Sequence, residues 1–125
     1  MSGKPVSLGK RGEDLAWDHL RKIGYRILAR NYRVRFGEID LIAEESGVLV
    51  FIEVKARQGS RYGSPYDALT LNKRRQISKV ALDYISRNGL ADRPARFDVV
   101  AVTFAGGADP KIEVLRNAFE LCYGV

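Results

Sequence analysis

Cysteine and histidine are nearly absent from the chain, which has only Cys122 and His19. Neither a disulfide framework nor a Cys/His zinc site can be assembled within one chain, so any bound metal must rest on oxygen ligands. Long hydrophobic runs are missing as well. The longest unbroken stretch of aliphatic and aromatic residues is Val48 to Ile52, too short to cross a bilayer. The opening MSGKPVSLGKRGE has no apolar segment of the signal-peptide kind, so a soluble cytoplasmic protein is expected. Acidic residues are outnumbered, 15 Asp and Glu against 21 Lys and Arg, for a formal charge of +6. Such an excess attracts polyanions at long range, and nucleic acid is the commonest of these. A membrane surface ranks lower, because no basic stretch also carries a wide apolar face open to lipid.

The 125 residues, 46% of them hydrophobic, suit one domain over residues 1–125 with a single core. Leu15, Ala16, Leu20 and Ile23 recur at helical spacing over Leu8 to Ile23, with Ser7 as cap and Gly24 as stop. Tyr25 to Tyr32 turns extended, and Phe36-Gly37 breaks it. Glu38 to Glu44 and Val48 to Lys55 are β-rich runs joined by a turn at Ser46-Gly47, a hairpin signature. A loop from Ala56 to Ser64 leads to a helical region from about Pro65 to Arg87, ended by Asn88-Gly89. Phe97 to Phe104 and Lys111 to Leu115 complete the strands. The order predicts an α/β fold with a mixed central sheet of about five strands flanked by helices.

A hairpin symmetric about Ser46-Gly47 sets Asp40 opposite Glu53 and Glu38 opposite Lys55. All four side chains then share one face, and Ile39, Leu41, Ala43, Val50, Ile52 and Val54 form an aliphatic face on the other side. A slip of one residue would bury the acids, so the register is strongly specified. Opposed carboxylates with Cβ atoms roughly 5 Å apart repel unless something compensates. Mg²⁺ or Mn²⁺ would do so, since hard cations accept one or two carboxylates and fill their remaining positions with water and phosphate oxygens. Asp40 and Glu53 fit that need, and the Val54 carbonyl can add a ligand. Lys55 can orient or deprotonate an attacking water, or neutralise charge in the transition state.

An acid, a dozen intervening residues, then Glu53-Val54-Lys55 resembles the PD-(D/E)xK signature of the restriction-endonuclease-like nuclease superfamily. The helix with Gly9, Gly12 and Glu13, the following Gly24-Tyr25, and the Phe97-Asp98-Val99-Val100 strand resemble the YraN-like family of small bacterial proteins, over roughly residues 7 to 121. Archaeal Holliday-junction resolvases are similar in layout and place a glutamate on the first helix near the metal, a position Glu13 matches. The resemblance implies Asp40 and Glu53 as metal ligands, Lys55 as the catalytic lysine and Glu13 as an outer ligand or water-positioning group. It also implies an endonuclease acting on DNA, with branched DNA as a candidate substrate, and small members of the superfamily commonly act as homodimers. One departure is visible: Glu38-Ile39-Asp40 stands where some members have Pro before Asp, and Glu38 stays open between a salt-bridge partner of Lys55 and a supporting residue.

Plainer explanations stand beside these. Asp40, Glu53 and Lys55 also read as a solvated strand face with cross-strand salt bridges, and Glu13 as a favourable acid near a helix N-terminus. Arg57, Arg61 and Tyr62 can grip a phosphate backbone or belong to a solvated loop. Lys73 and Gln76 can touch the site or form the polar side of an amphipathic helix. A non-catalytic nucleic-acid-binding module that kept the fold is the alternative to a metal-dependent nuclease.

Overall fold

The computed structural model describes residues 6–59 and 69–121. Among them the order is α1 (Leu8–Lys22), β1 (Arg26–Val34), β2 (Gly37–Glu45), β3 (Val48–Gln58), α2 (Leu71–Arg87), β4 (Ala95–Phe104) and β5 (Lys111–Phe119). The strands lie in one sheet in chain order. β3 and β4 are parallel, with α2 in the connection between them, and the other neighbours are antiparallel. The α/β class, the mixed five-stranded sheet and the flanking helices are as the sequence predicts. No described helix is long and apolar enough to cross a membrane.

Each helix covers one face of the sheet because its apolar stripe needs a partner. Ala16 and Leu20 of α1 pack on Leu41, Ala43, Val50, Ile52, Val100 and Val102. Ile77, Val80 and Ala81 of α2 pack on the other face, over Ile39, Ile42, Phe51, Phe97 and Val99. Gly12 lets α1 lie close, since a Cβ there would come 2.6 Å from the Cβ of Ala56. The Ser7 hydroxyl caps α1 by accepting the Lys10 N–H.

Several boundaries move. α2 begins at Leu71, with Thr70 capping it through the Lys73 N–H, and not near Pro65; residues 65–68 lie outside the described part. β3 runs on to Gln58 because it pairs with β4 as far as Phe104, so Arg57 belongs to the strand and not to a loop. β5 continues to Phe119, where its ladder resumes opposite Phe97 after a shift of register.

The Ser46-Gly47 turn has positive φ at both residues, the signature of the tight hairpin turn whose twist suits the flanking strands. Leu41 pairs with Ile52 and Ala43 with Val50, the expected register. One expectation fails: Ile39 does not share a face with Leu41. Leu41 packs under α1, while Ile39 joins the cluster under α2. In β1 the same turnover separates Arg30, beside Glu13, Asp14 and Trp17, from Tyr32, whose ring meets Tyr84 at 5.2 Å. Arg30 pairs with Leu41 and Tyr32 with Ile39, so Asn31 stands opposite Asp40 at the turnover. Asn31 has φ of 53°, a left-handed conformation that asparagine tolerates better than most residues.

Candidate functional site

The β2·β3 ladder ends at Leu41 and Ile52, although both strands continue, β2 against β1 and β3 against β4. The sheet therefore splits where Asp40 and Glu53 face each other. In a regular ladder the Val54 N–H would bond to the carbonyl of Ile39, two residues beyond the last pair. Here it donates instead to Asp40 Oδ2 at 2.8 Å. The Val54 carbonyl points to the same edge as its N–H, toward the split.

The sequence suggests acids on a face kept clear of the core, and the structure corrects this. Their face also carries Ile42, Leu49 and Phe51, and α2 covers it. Asp40 is 9% and Glu53 6% exposed. Burial pushes the Asp40 carboxyl up to about 8, its hydrogen bond with the Glu53 carboxyl and the charges of Glu53 and Glu38 add to the rise, and the Val54 N–H opposes it. Near neutral pH the pair therefore holds a proton in the absence of a cation.

Lys73 of α2 reaches down to this pair, its Nζ 3.4 Å from Glu53 Oε2. Lys55 lies two residues beyond Glu53, on the same face by strand alternation. It is half-buried, and among the described residues it forms no ion pair. Arg57 continues the row. Glu38 does not face Lys55, because β2 has left β3 by that point; it accepts from Arg33 Nε at 2.7 Å across the β1·β2 pair.

Glu13 lies on α1, across the sheet from α2, with Oε1 3.6 Å from Arg30 Nε. Among the described residues no three or more His, Cys, Asp or Glu side chains are grouped closely enough to hold a metal, so Glu13 does not join Asp40 and Glu53 in such a group. Gln76 donates to the Phe36 carbonyl at 3.2 Å and holds the β1–β2 turn rather than the carboxylates. Arg61 and Tyr62 lie outside the described residues. Asp98 is fully buried on the α1 side of β4, where it accepts from Tyr25 Oη at 2.7 Å, Arg96 Nε at 2.9 Å and the Asn117 N–H at 2.9 Å. Its satisfied hydrogen bonds make it a structural anchor.

Sequence reasoning did not single out Arg33, Arg35 and Phe36 at the β1–β2 turn, which line a groove together with Lys73. The signal available was an aromatic preceded by two nearby arginines in a turn, where no core awaits it.

What two carboxylates and a strand carbonyl can do together is bind a hard cation. They supply the carboxylates such an ion accepts and leave coordination positions for water and a phosphate ester. The donor chemistry fits Mg²⁺ or Mn²⁺.

Relatives extend over nearly the whole chain. A UPF0102 protein of Geobacter sulfurreducens is 51% identical over 116 residues, spanning 93% of this chain and 91% of its own length. One from Symbiobacterium thermophilum is 47% identical over 112 residues, 90% and 95% of the two chains. One from Rhodococcus jostii is 46% identical over 114 residues, 91% and 97%. The profile of the uncharacterised protein family UPF0102 matches residues 12–102, from the first helix through the fourth strand and across the carboxylate pair. The chain belongs to the uncharacterised protein family UPF0102.

Proposed function

We propose that the protein is a metal-dependent nuclease of the PD-(D/E)xK kind that hydrolyses phosphodiester bonds in DNA, with Asp40, Glu53 and Lys55 as its working residues. The observation that carries this reading is the buried Asp40–Glu53 pair at the split between β2 and β3, followed on the same strand face by Lys55. Burying two carboxylates side by side disfavours their joint ionisation, and a divalent cation would offset that cost. Asp40, Glu53 and the Val54 carbonyl would hold Mg²⁺ or Mn²⁺. Such an ion polarises a phosphoryl oxygen and offsets the charge that develops on it.

The chain's own residues supply the rest. Asp40 is held in place by the Val54 N–H, which fixes its carboxyl group at the split. Lys55 has no carboxylate partner among the described residues to tie it down and can orient the attacking water or meet charge on the reacting phosphate. The net charge of +6 draws the polyanion to the protein.

One contact favours a second reading. Lys73 already gives Glu53 a positive neighbour, so a nucleic-acid-binding module without turnover would also satisfy the pair. Cleavage assays separate the two. Single-stranded, duplex, flapped and four-way-junction DNA would be incubated with wild type, Asp40→Ala and Lys55→Ala in Mg²⁺, Mn²⁺ or chelator. Metal-dependent cleavage lost in both variants is the expected result. Binding unchanged by metal, with no cleavage of any substrate, would replace the nuclease reading with the binding one.

A further inference from the structure

We infer that the β1–β2 turn is a stacking platform for unpaired nucleotides: Phe36 takes the base face while Arg33, Arg35 and Lys73 take the flanking phosphates, beside the carboxylate pair. This inference names the substrate class of the site proposed above and rests on that reading. It begins with an exposed aromatic. Phe36 is 46% exposed at the tip of a two-residue turn between Val34 and Gly37.

The turn borders a groove of about 510 Å³, lined by Arg33, Arg35, Phe36, Glu38, Lys73 and Gln76 among others. Three cations therefore face one carboxylate. Glu38 is engaged by Arg33 at 2.7 Å, and among the described residues Arg35 has no ion pair. Lys73 joins the groove to the site, since it lines the one and contacts Glu53 of the other. A strand lying in the groove thus leads to Asp40 and Glu53.

The platform is preformed. Gln76 Nε2 holds the Phe36 carbonyl at 3.2 Å, and the turn lies so close to α2 that a Cβ at Gly37 would come 2.8 Å from Gln76 Cγ and 3.0 Å from Val80 Cγ2. An anchored turn backbone lowers the entropy lost when the ring takes up a partner. Base stacking on an aromatic is sequence-tolerant, whereas bases inside a continuous duplex have their faces covered. The chemistry therefore selects single strands, flaps or gaps over blunt duplex.

The test is binding in chelator, so no turnover is needed. Fluorescein-labelled single-stranded DNA and a blunt duplex of the same sequence are titrated with wild type, Phe36→Ala and Phe36→Trp, and with Arg35→Ala across a salt series. Wild type is expected to prefer the single strand. Phe36→Ala should lose roughly tenfold on the single strand with little change on the duplex. Phe36→Trp should keep the affinity, and its added indole emission should be quenched by the bound strand. Arg35→Ala should flatten the salt dependence by about 0.7 in log–log slope. Equal single-strand binding by Phe36→Ala, equal losses on both substrates, or an added emission in Phe36→Trp that the strand leaves unquenched would each overturn the inference. So would a wild-type dimer that Phe36→Ala dissociates in sedimentation, since the ring would then be covered by a second copy. The two proposals fail separately. A protein that binds as expected but never cleaves loses only the nuclease reading, and one that cleaves equally well as Phe36→Ala loses only this inference.

Discussion

Asp40 Oδ2 accepts the N–H of Val54 at 2.8 Å, and a side chain thereby fills the place of a strand where β2 and β3 separate. Asp98 does the same for the Asn117 N–H, at 2.9 Å, where the β4·β5 register shifts. A buried donor left without an acceptor costs about 1–3 kcal/mol, so each aspartate makes a local break in the ladder tolerable. The two differ in what surrounds them. Asp98 is met by Arg96 and Tyr25, whereas Asp40 is met by another acid.

The acidic neighbour of Asp40 predicts a response of stability to pH. The Asp40 carboxyl binds its proton more tightly in the folded protein, at about 8 against 3.8 when unfolded. Between those values the folded state holds the proton that the unfolded state releases, so stability falls as pH rises from about 4 to about 8. Asp40→Asn keeps an acceptor for Val54 and removes the charge. In chelator its advantage over wild type should be absent at pH 4, grow as pH rises, and level off above pH 8 at several kcal/mol. Melting curves that stay parallel across this range would show that the pair does not retain the proton.

Lys73 and a divalent cation would serve the same carboxylates. Lys73→Met is therefore expected to destabilise the metal-free protein by about 1–2 kcal/mol, a figure discounted because the lysine is one-third exposed. Mg²⁺ should then raise the melting temperature of Lys73→Met more than that of wild type. Thermal melts with and without Mg²⁺ check this, and an equal response in both proteins would count against competition at the site.

Asn31, opposite Asp40, takes a positive φ where both strands change face. Asn31→Val should cost about 1–2 kcal/mol, because a β-branched residue is strained there. Asn31→Gly should be nearly neutral. Urea denaturation of the two variants measures the contrast, and equal losses would mean that the backbone conformation is not the cause.

At Asp98, truncation leaves Arg96 beside Tyr25 with less counter-charge and strands the Asn117 N–H. Asp98→Ala is expected to destabilise by about 3–5 kcal/mol, while DNA cleavage per folded molecule stays unchanged. A variant that folds as stably as wild type would refute the anchoring role.

Much of this was legible in local sequence. Ser7 and the spacing of Ala16 and Leu20 announce α1, and Ser46-Gly47 between two β-rich runs sets the hairpin register that brings Asp40 toward Glu53. These depend on capping, periodicity and turn chemistry within a few residues of one another. The reach of β3 to Gln58 was not legible, because Ala56, Arg57 and Gln58 become strand only by pairing with β4, more than forty residues later.

The sequence by itself determined which groups can do chemistry here and which strands carry them, since strand alternation and a tight turn leave little freedom in placing Asp40, Glu53 and Lys55. Tertiary structure decided their environment. The turnover at Asn31 carries Ile39 under α2, the loss of β2·β3 pairing opens the split, and α2 buries the two acids and brings Lys73 to one of them. Glu13 is held beside Arg30 on the far side of the sheet. The physical reason is range: a carboxylate's charge state depends on what excludes water from it and which charges lie within a few ångströms. Here the cover and one of those charges, Lys73, come from α2, an element separated from both strands in the chain.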